Sequence, residues 1–310
     1  MDVNIIFSAI STPQEVVVAH SLEVIPSKAQ TIVLTSRRHR KSWEGRVDKV
    51  EITKFSSRKR INKFIRIACN RSFLFRKLLH TLLNKLFTRH VWIFMPPQNA
   101  RRFESLRVLR KLPKDSWVFL VDSRDLVFQL DPCHIAEELV TQGDIHFFDE
   151  GQRSFKTGSR QFNSESPANW SWSKMLVNYN EAKLVSMSHN WIINSGCITG
   201  RCGAVIEFLE KSCEHLRNSV YCNTDFLDQA STNLVVYGHR LTGKYKIHSN
   251  GEIVLNMCGK IENPVRINGK QLKIDEKIIP LVHQFDRYGS WNSITGFDLS
   301  RRDYNSRDIE

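Results

Sequence analysis

The side chains best placed to do chemistry in this chain are the two acids that end the stretch Trp117-Val-Phe-Leu-Val-Asp122-Ser-Arg-Asp125. Five apolar or β-branched residues run straight into Asp122, Asp125 follows three positions later, and Pro132 closes the segment. An apolar run bounded by turn formers predicts a strand buried on both faces, as in a mostly parallel sheet. Open α/β sheets bind ligands beyond the carboxyl ends of their strands. Two carboxylates there suit a hard divalent cation and the phosphates it carries. The spacing is equally compatible with an Asp-rich turn whose side chains cap backbone amides.

Several elements must position such a pair. Residues 4–10 and 31–35 read as the first two strands, joined by a helix that opens at Ser11-Thr12-Pro13-Gln14-Glu15. That βαβ beginning leads to a parallel sheet. Residues 50–55 and 90–95 are further strand candidates, the second stopped by Pro96-Pro97. A helix follows from Asn99, with Phe103, Leu106, Leu109 and Leu112 at helical spacing. The strand expected at 144–148 runs into Asp149-Glu150-Gly151.

Residues 152–172 read as a long loop, functional or disordered, whose Trp170 and Trp172 either stack on a sugar or base or anchor the loop on the core. After Trp191-Ile-Ile-Asn194-Ser-Gly196-Cys-Ile-Thr-Gly200, a helix carries Val205, Phe208, Leu209, Cys213 and Leu216. Asn223 or Thr224 is expected to cap the next helix, with Asp225, Asp228 and Gln229 near its start. His248 and His283 each end an apolar, strand-like run.

The bounds are those of an ordinary globular chain. At 310 residues with 41% hydrophobic and 25% charged content, one large α/β domain is expected. It would span residues 1–300, with a basic helical segment at 56–89 and a mobile tail at 301–310. No apolar run approaches the roughly 18 residues of a membrane span, and no signal core is evident. Seven scattered cysteines without Cys-x-x-Cys pairs fit reduced thiols in a cytoplasmic protein. The net charge of +13 is concentrated from Arg37 to Arg89, where 17 Lys/Arg face three acids. That block suits an anionic lipid surface, an acidic glycan or nucleic acid, or is a solvated helical face.

The acidic stretch carries a resemblance. Asp122-Ser-Arg-Asp125-Leu-Val127-Phe128-Gln129 resembles the acidic motif of GT-A type nucleotide-sugar glycosyltransferases, especially members reading Asp-x-Arg-Asp-Val-Val-Phe-Gln. In the wider family the motif is Asp-x-Asp, and its acids hold a divalent metal on the donor diphosphate and contact the ribose. The series continues with the Arg101-Arg102-Phe103 helix ahead of the strand, the Asn194-x-Gly196-x-x-x-Gly200 element, Asp228-Gln229, and His283-Gln284-Phe285-Asp286-Arg287.

What the resemblance implies is a GT-A-like (Rossmann-like) mostly parallel sheet flanked by helices. Asp125 would be the direct metal ligand, Asp122 would share the metal or the ribose, and His283 would be the third ligand, with His248 in reserve. Arg102, Ser123, Arg124, Asn194, Gly196 and Gln229 would bind the donor. The cofactor would be Mn²⁺ or Mg²⁺, and the donor a nucleoside-diphosphate sugar, a UDP-sugar by preference. The acceptor hydroxyl would belong to a glycan, a lipid-linked sugar or a lipopolysaccharide-type molecule. In an inverting enzyme Asp228 or Asp149 would act as base; in a retaining one, as in glycogenin-like transferases, the leaving phosphate takes the proton.

No Gly-x-x-x-x-Gly-Lys-Ser/Thr, Gly-x-Gly-x-x-Gly or Gly-x-Ser-x-Gly sequence supports an NTPase, a dinucleotide oxidoreductase or a serine hydrolase. Two rivals stand beside the transferase: a sugar-phosphate nucleotidyltransferase, and a non-catalytic module that binds nucleic acid or membrane through the basic block. For the transferase no nucleic-acid partner is expected. A cytoplasmic position, peripheral at the inner membrane face through Arg37 to Arg89, is its expected location.

Overall fold

The computed structural model describes residues 1–9, 28–53, 95–123, 125–151, 167–176, 184, 187, 190–217, 226–257, 266–268 and 271–284. The helix expected to open at Ser11, the basic helical segment, the strand expected at 90–95 apart from Met95, Arg124 and the tail at 301–310 lie outside these residues.

Seven strands make the main sheet: β1 (Val3–Ala9), β2 (Gln30–Thr35), β3 (Lys49–Ile52), β4 (Trp117–Asp122), β6 (Ile145–Phe148), β7 (Cys197–Arg201) and β8 (Tyr245–His248), in the order β3-β2-β1-β4-β7-β6-β8. Neighbours run parallel except where β7 pairs antiparallel with β4 and β6, so the sheet is mixed and mostly parallel. Because β7 runs against β4, its first residues lie beside the carboxyl end of β4, with Val121 opposite Cys197.

Alternation along β4 explains its apolar run. Val118 and Leu120 join one core, with α1 (Pro97–Leu109), α4 (Cys202–Arg217) and α5 (Leu227–Tyr237) supplying Phe103, Phe208 and Val235. Trp117, Phe119 and Val121 join the other, against α2 (Pro132–Leu139) and β5 (Leu126–Phe128). A strand coated on both faces has no polar alternation to show. Trp117 settles its one polar atom by donating from Nε1 to Thr199 Oγ1 at 2.7 Å.

β5 does not continue the main sheet. It pairs antiparallel with β13 (Leu281–His283), which pairs parallel with β9 (Val254–Asn256), forming a three-stranded sheet in the order β5-β13-β9. A second small sheet joins β10 (Arg266–Asn268), β11 (Gln271–Ile274) and β12 (Lys277–Ile278). Gln129, the last residue of the resemblance motif, ties the two together. Its amide donates to Ile279 O at 2.7 Å and accepts from Leu272 N at 2.7 Å.

Several boundaries differ from the sequence expectation. The end of the loop placed at 152–172 overlaps α3 (Pro167–Leu176), so Trp170 and Trp172 are helical; Trp172 packs on Phe226, ring centroids 5.4 Å apart. α1 ends at Leu109 rather than continuing through Leu112. α5 begins at Leu227, with Phe226 in the cap position in the left-handed region at φ 65°; Asn223 and Thr224, the expected caps, lie outside the described residues. The described cysteines Cys133, Cys197, Cys202 and Cys213 are all free thiols. No helix among the described residues is long and apolar enough to cross a membrane.

The edge pair β6–β8 buries two histidines. His146 Nε2 faces the Gly143 carbonyl at 3.3 Å and so donates, leaving Nδ1 to accept from His248 Nε2 at 2.9 Å. His248 Nδ1 faces Glu252 Oε1 at 3.1 Å. Burial first, then the neighbouring His248, pushes His146 down from 6.5 to about 4. The unfolded chain therefore takes up a proton that the native state refuses, so stability falls as pH drops from about 6.5 towards 4. The urea midpoint should decrease across that window, and less steeply in His146→Gln. An identical pH profile in the variant would remove His146 as the cause.

Candidate metal centre

The site forms where β4, β7 and β13 meet. Asp122 ends β4, and its amide donates to Gly196 O at 2.8 Å, which fixes the strand end against the turn before β7. Ser123 is buried and donates from Oγ to Ser8 O at 2.8 Å, pinning the bend after Asp122 to the end of β1. The bend delivers Asp125 to the start of β5, whose pairing with β13 sets Leu126 opposite His283. Gln284, in the left-handed region at φ 62°, closes the junction by donating from its amide to Asp125 O at 2.6 Å.

Asp122, Asp125 and His283 consequently present ligand atoms all within 4.8 Å of one another. His283 Nε2 lies 3.7 Å from Asp122 Oδ2 and 3.7 Å from Asp125 Oδ1. Asp125 and His283 are buried and Asp122 is half-buried, so the group opens to solvent on the Asp122 side. These are the three residues expected as metal ligands. His248 lies in the His146 and Glu252 cluster on the edge pair of the main sheet instead.

Gly196 makes room for the histidine. A Cβ on Gly196 would overlap Cε1 and Nε2 of His283 and come within 3.0 Å of Asn194 Oδ1. That close approach is why a residue without a side chain stands here. Gly196→Ala should push the imidazole off the two acids and cost about 1–3 kcal/mol through overpacking. Unchanged unfolding stability together with unchanged metal affinity would show that His283 moves away without consequence.

Arginine enters the site from α1, one residue earlier than expected. Arg101 Nη1 pairs with Asp122 Oδ1, while Nε and Nη2 both hold Asp228 Oδ2, at 2.9 and 2.5 Å. Nη2 also donates to Ser195 Oγ at 3.1 Å. Arg102, the arginine singled out in the sequence, is 3% exposed and turned into the core. It donates to Thr232 Oγ1 at 3.0 Å and lies over the Phe208 ring. Its burial drops its pKa to about 10, partly offset by Asp228, with Oδ2 4.0 Å from Nη2. Adjacent helical residues point about 100° apart; Arg101 reaches Asp122, while Arg102 comes from the core side and shares Ser195 O, at 3.4 Å, and Asp228 with it.

The other expected residues divide. Asn194 and Gln229 come together on a buried acid that was not singled out: Asn194 Nδ2 and Gln229 Nε2 donate to Glu150 Oε1 at 2.9 and 3.1 Å. Asn194 Oδ1 accepts from Gly196 N at 2.6 Å, so the same amide shapes the turn beside His283. Asp149, one residue before Glu150, accepts from Asn250 N at 2.9 Å as part of the next turn. Asp228 is fully buried beneath Arg101. Arg124 falls outside the described residues. The signal for Glu150 lay in its place directly after a strand, shared with Asp149, but spacing does not tell which of two successive acids turns inward.

The connected set holds the carboxylates of Asp122, Asp125, Glu150 and Asp228 against the guanidiniums of Arg101 and Arg102. Both guanidiniums approach Asp228, and Arg101 bridges from there to Asp122. Asp122, Asp125 and His283 together could hold a metal ion. No protein-family model matches the chain, and a search of curated proteins finds no match.

Proposed function

We propose that the chain is a metal-dependent glycosyltransferase of the GT-A type, moving a sugar from a nucleoside-diphosphate sugar to an acceptor hydroxyl. The observation that carries this reading is the convergence of Asp122, Asp125 and His283 at the carboxyl end of β4. It gives the acidic motif and the late histidine of the resemblance one common location. Two carboxylates and an imidazole fit Mn²⁺, or Mg²⁺ that keeps several waters. When bound, the metal would supply charge neutralisation for the leaving diphosphate.

The chain's own groups would do the rest. Arg101 is fixed on Asp228 with its guanidinium beside Asp122, the position from which it can bind a phosphate oxygen. Buried Asp228 orients Arg101, and Asp149 Oδ1 accepts from the Asn250 amide. These engagements favour a transfer in which an oxygen of the departing phosphate, rather than either carboxylate, takes the acceptor proton.

The test is thermal stability with UDP-, GDP-, CMP- and dTDP-sugars and with UTP, each with and without Mn²⁺. Ligands that bind only the native state raise apparent stability by about 2.7 kcal/mol at a hundredfold excess over Kd. The transferase reading expects a metal-dependent shift with a UDP-sugar. A shift with UTP and sugar phosphate, with pyrophosphate released, would favour the nucleotidyltransferase. No shift with any donor in folded protein, with salt-sensitive binding to anionic vesicles or nucleic acid, would favour the basic binding module.

A further inference from the structure

The turn from His248 to Glu252 and the strand after it support His283 from behind. Asn250 Oδ1 accepts from Asn256 N at 2.6 Å and its Nδ2 donates to Asn256 O at 3.2 Å, so one side chain clasps both backbone polar groups of Asn256. Asn250 is held in turn by its own amide on Asp149 Oδ1. Gly151, at φ +66°, passes so close that a Cβ there would overlap the Asn250 side chain. β9 and β13 run parallel with Asn256 in register with His283, which brings their side chains side by side.

Asn256 is fully buried, and its two amide ends have different partners. Nδ2 lies 2.7 Å from the Asp149 carbonyl, and Oδ1 lies 2.8 Å from His283 Nδ1. A carbonyl oxygen only accepts, so the nitrogen end of the amide must face Asp149. A flipped amide would set two acceptors against each other. The oxygen end therefore faces His283, and Nδ1 of the imidazole must carry a proton to donate to it. In the neutral ring this leaves the lone pair on Nε2, the atom that faces Asp122 and Asp125.

We propose that Asn256 is a positioning residue that fixes the Nδ1–H tautomer of His283 and so presents Nε2 as a ligand to a divalent cation. The inference rests on the metal reading of Asp122, Asp125 and His283, and it adds the group that makes the imidazole a ligand. Partners of this kind, hydrogen-bonded to the far nitrogen of a ligating histidine, typically account for about 10–100-fold in metal affinity. Asp149 thereby gains a supporting role through its backbone carbonyl and its carboxylate together.

The test has two arms. The first is ¹⁵N NMR of the ring nitrogens in metal-free protein, with the His283 signals assigned by their loss in His283→Gln. The expected result is an Nδ1–H signature in the wild type. In Asn256→Leu the signature should shift to the Nε2–H form or a mixture. The second arm is Mn²⁺ titration of the wild type and Asn256→Leu. Asn256→Leu should bind about 10–100-fold more weakly. An Nε2–H signature in the wild type would overturn the inference, as would equal Mn²⁺ affinity in Asn256→Leu. Because the first arm uses no metal, a wild type that keeps its Nδ1–H signal yet binds no Mn²⁺ would overturn the metal reading and the ligand role with it.

Discussion

Asp125→Asn is expected to abolish the metal-dependent stabilisation by a nucleoside-diphosphate sugar. It should also slow transfer by on the order of a thousandfold, the equivalent of about 4 kcal/mol. The substitution keeps the side chain's shape and leaves untouched the backbone bond from Gln284 N to Asp125 O at 2.6 Å. It removes only the charge on the buried acid that shares a ligand set with Asp122 and His283. The variant should therefore unfold at nearly the wild-type urea midpoint when no metal is added. A variant that stays folded and still responds to donor plus Mn²⁺ would remove Asp125 from the centre.

The second large effect concerns stability. Arg101→Ala should destabilise the fold by about 3–5 kcal/mol, the usual consequence of leaving a buried charge without its partner. Asp228 is fully buried, and Arg101 contacts its Oδ2 through two nitrogens, whereas Arg102 approaches no closer than 4.0 Å. Adding Asp228→Asn removes the stranded charge, so the double variant should recover much of the loss. A double-mutant cycle in urea isolates the coupling. Additive losses would mean that Arg101 and Asp228 do not stabilise each other.

Much of the sheet could be read from the chain because its strands are coated on both faces. The run from Trp117 to Val121 has no polar alternation since its odd residues join one core and its even residues the other. The carboxyl end of that run was legible for the same reason: Asp122 is where the apolar coat stops. The joining of Asp122 and Asp125 to His283, more than 150 residues later, was legible only through the resemblance. Nothing in local spacing says that β5 leaves the main sheet to pair with β13.

Other features were hidden by geometry finer than periodicity. Arg101 and Arg102 differ by a rotation of about 100° on one helix, which sends one to the sheet edge and the other over Phe208. The start of α5 has a left-handed Phe226 in the cap position, not the Asn or Thr that usually caps a helix. Asn256 ends a three-residue strand and has no motif around it; its role follows from its register with His283 and from the acceptor character of the Asp149 carbonyl.

The central claim is that Asp122, Asp125 and His283 bind one divalent cation. Its most direct test is titration of metal-free protein with Mn²⁺, followed by electron paramagnetic resonance of the free ion. The expected result is saturable binding of about one Mn²⁺ per chain, lost in Asp125→Asn and in His283→Gln while both variants remain folded. Absence of saturable binding, or saturable binding that both variants retain, would contradict it.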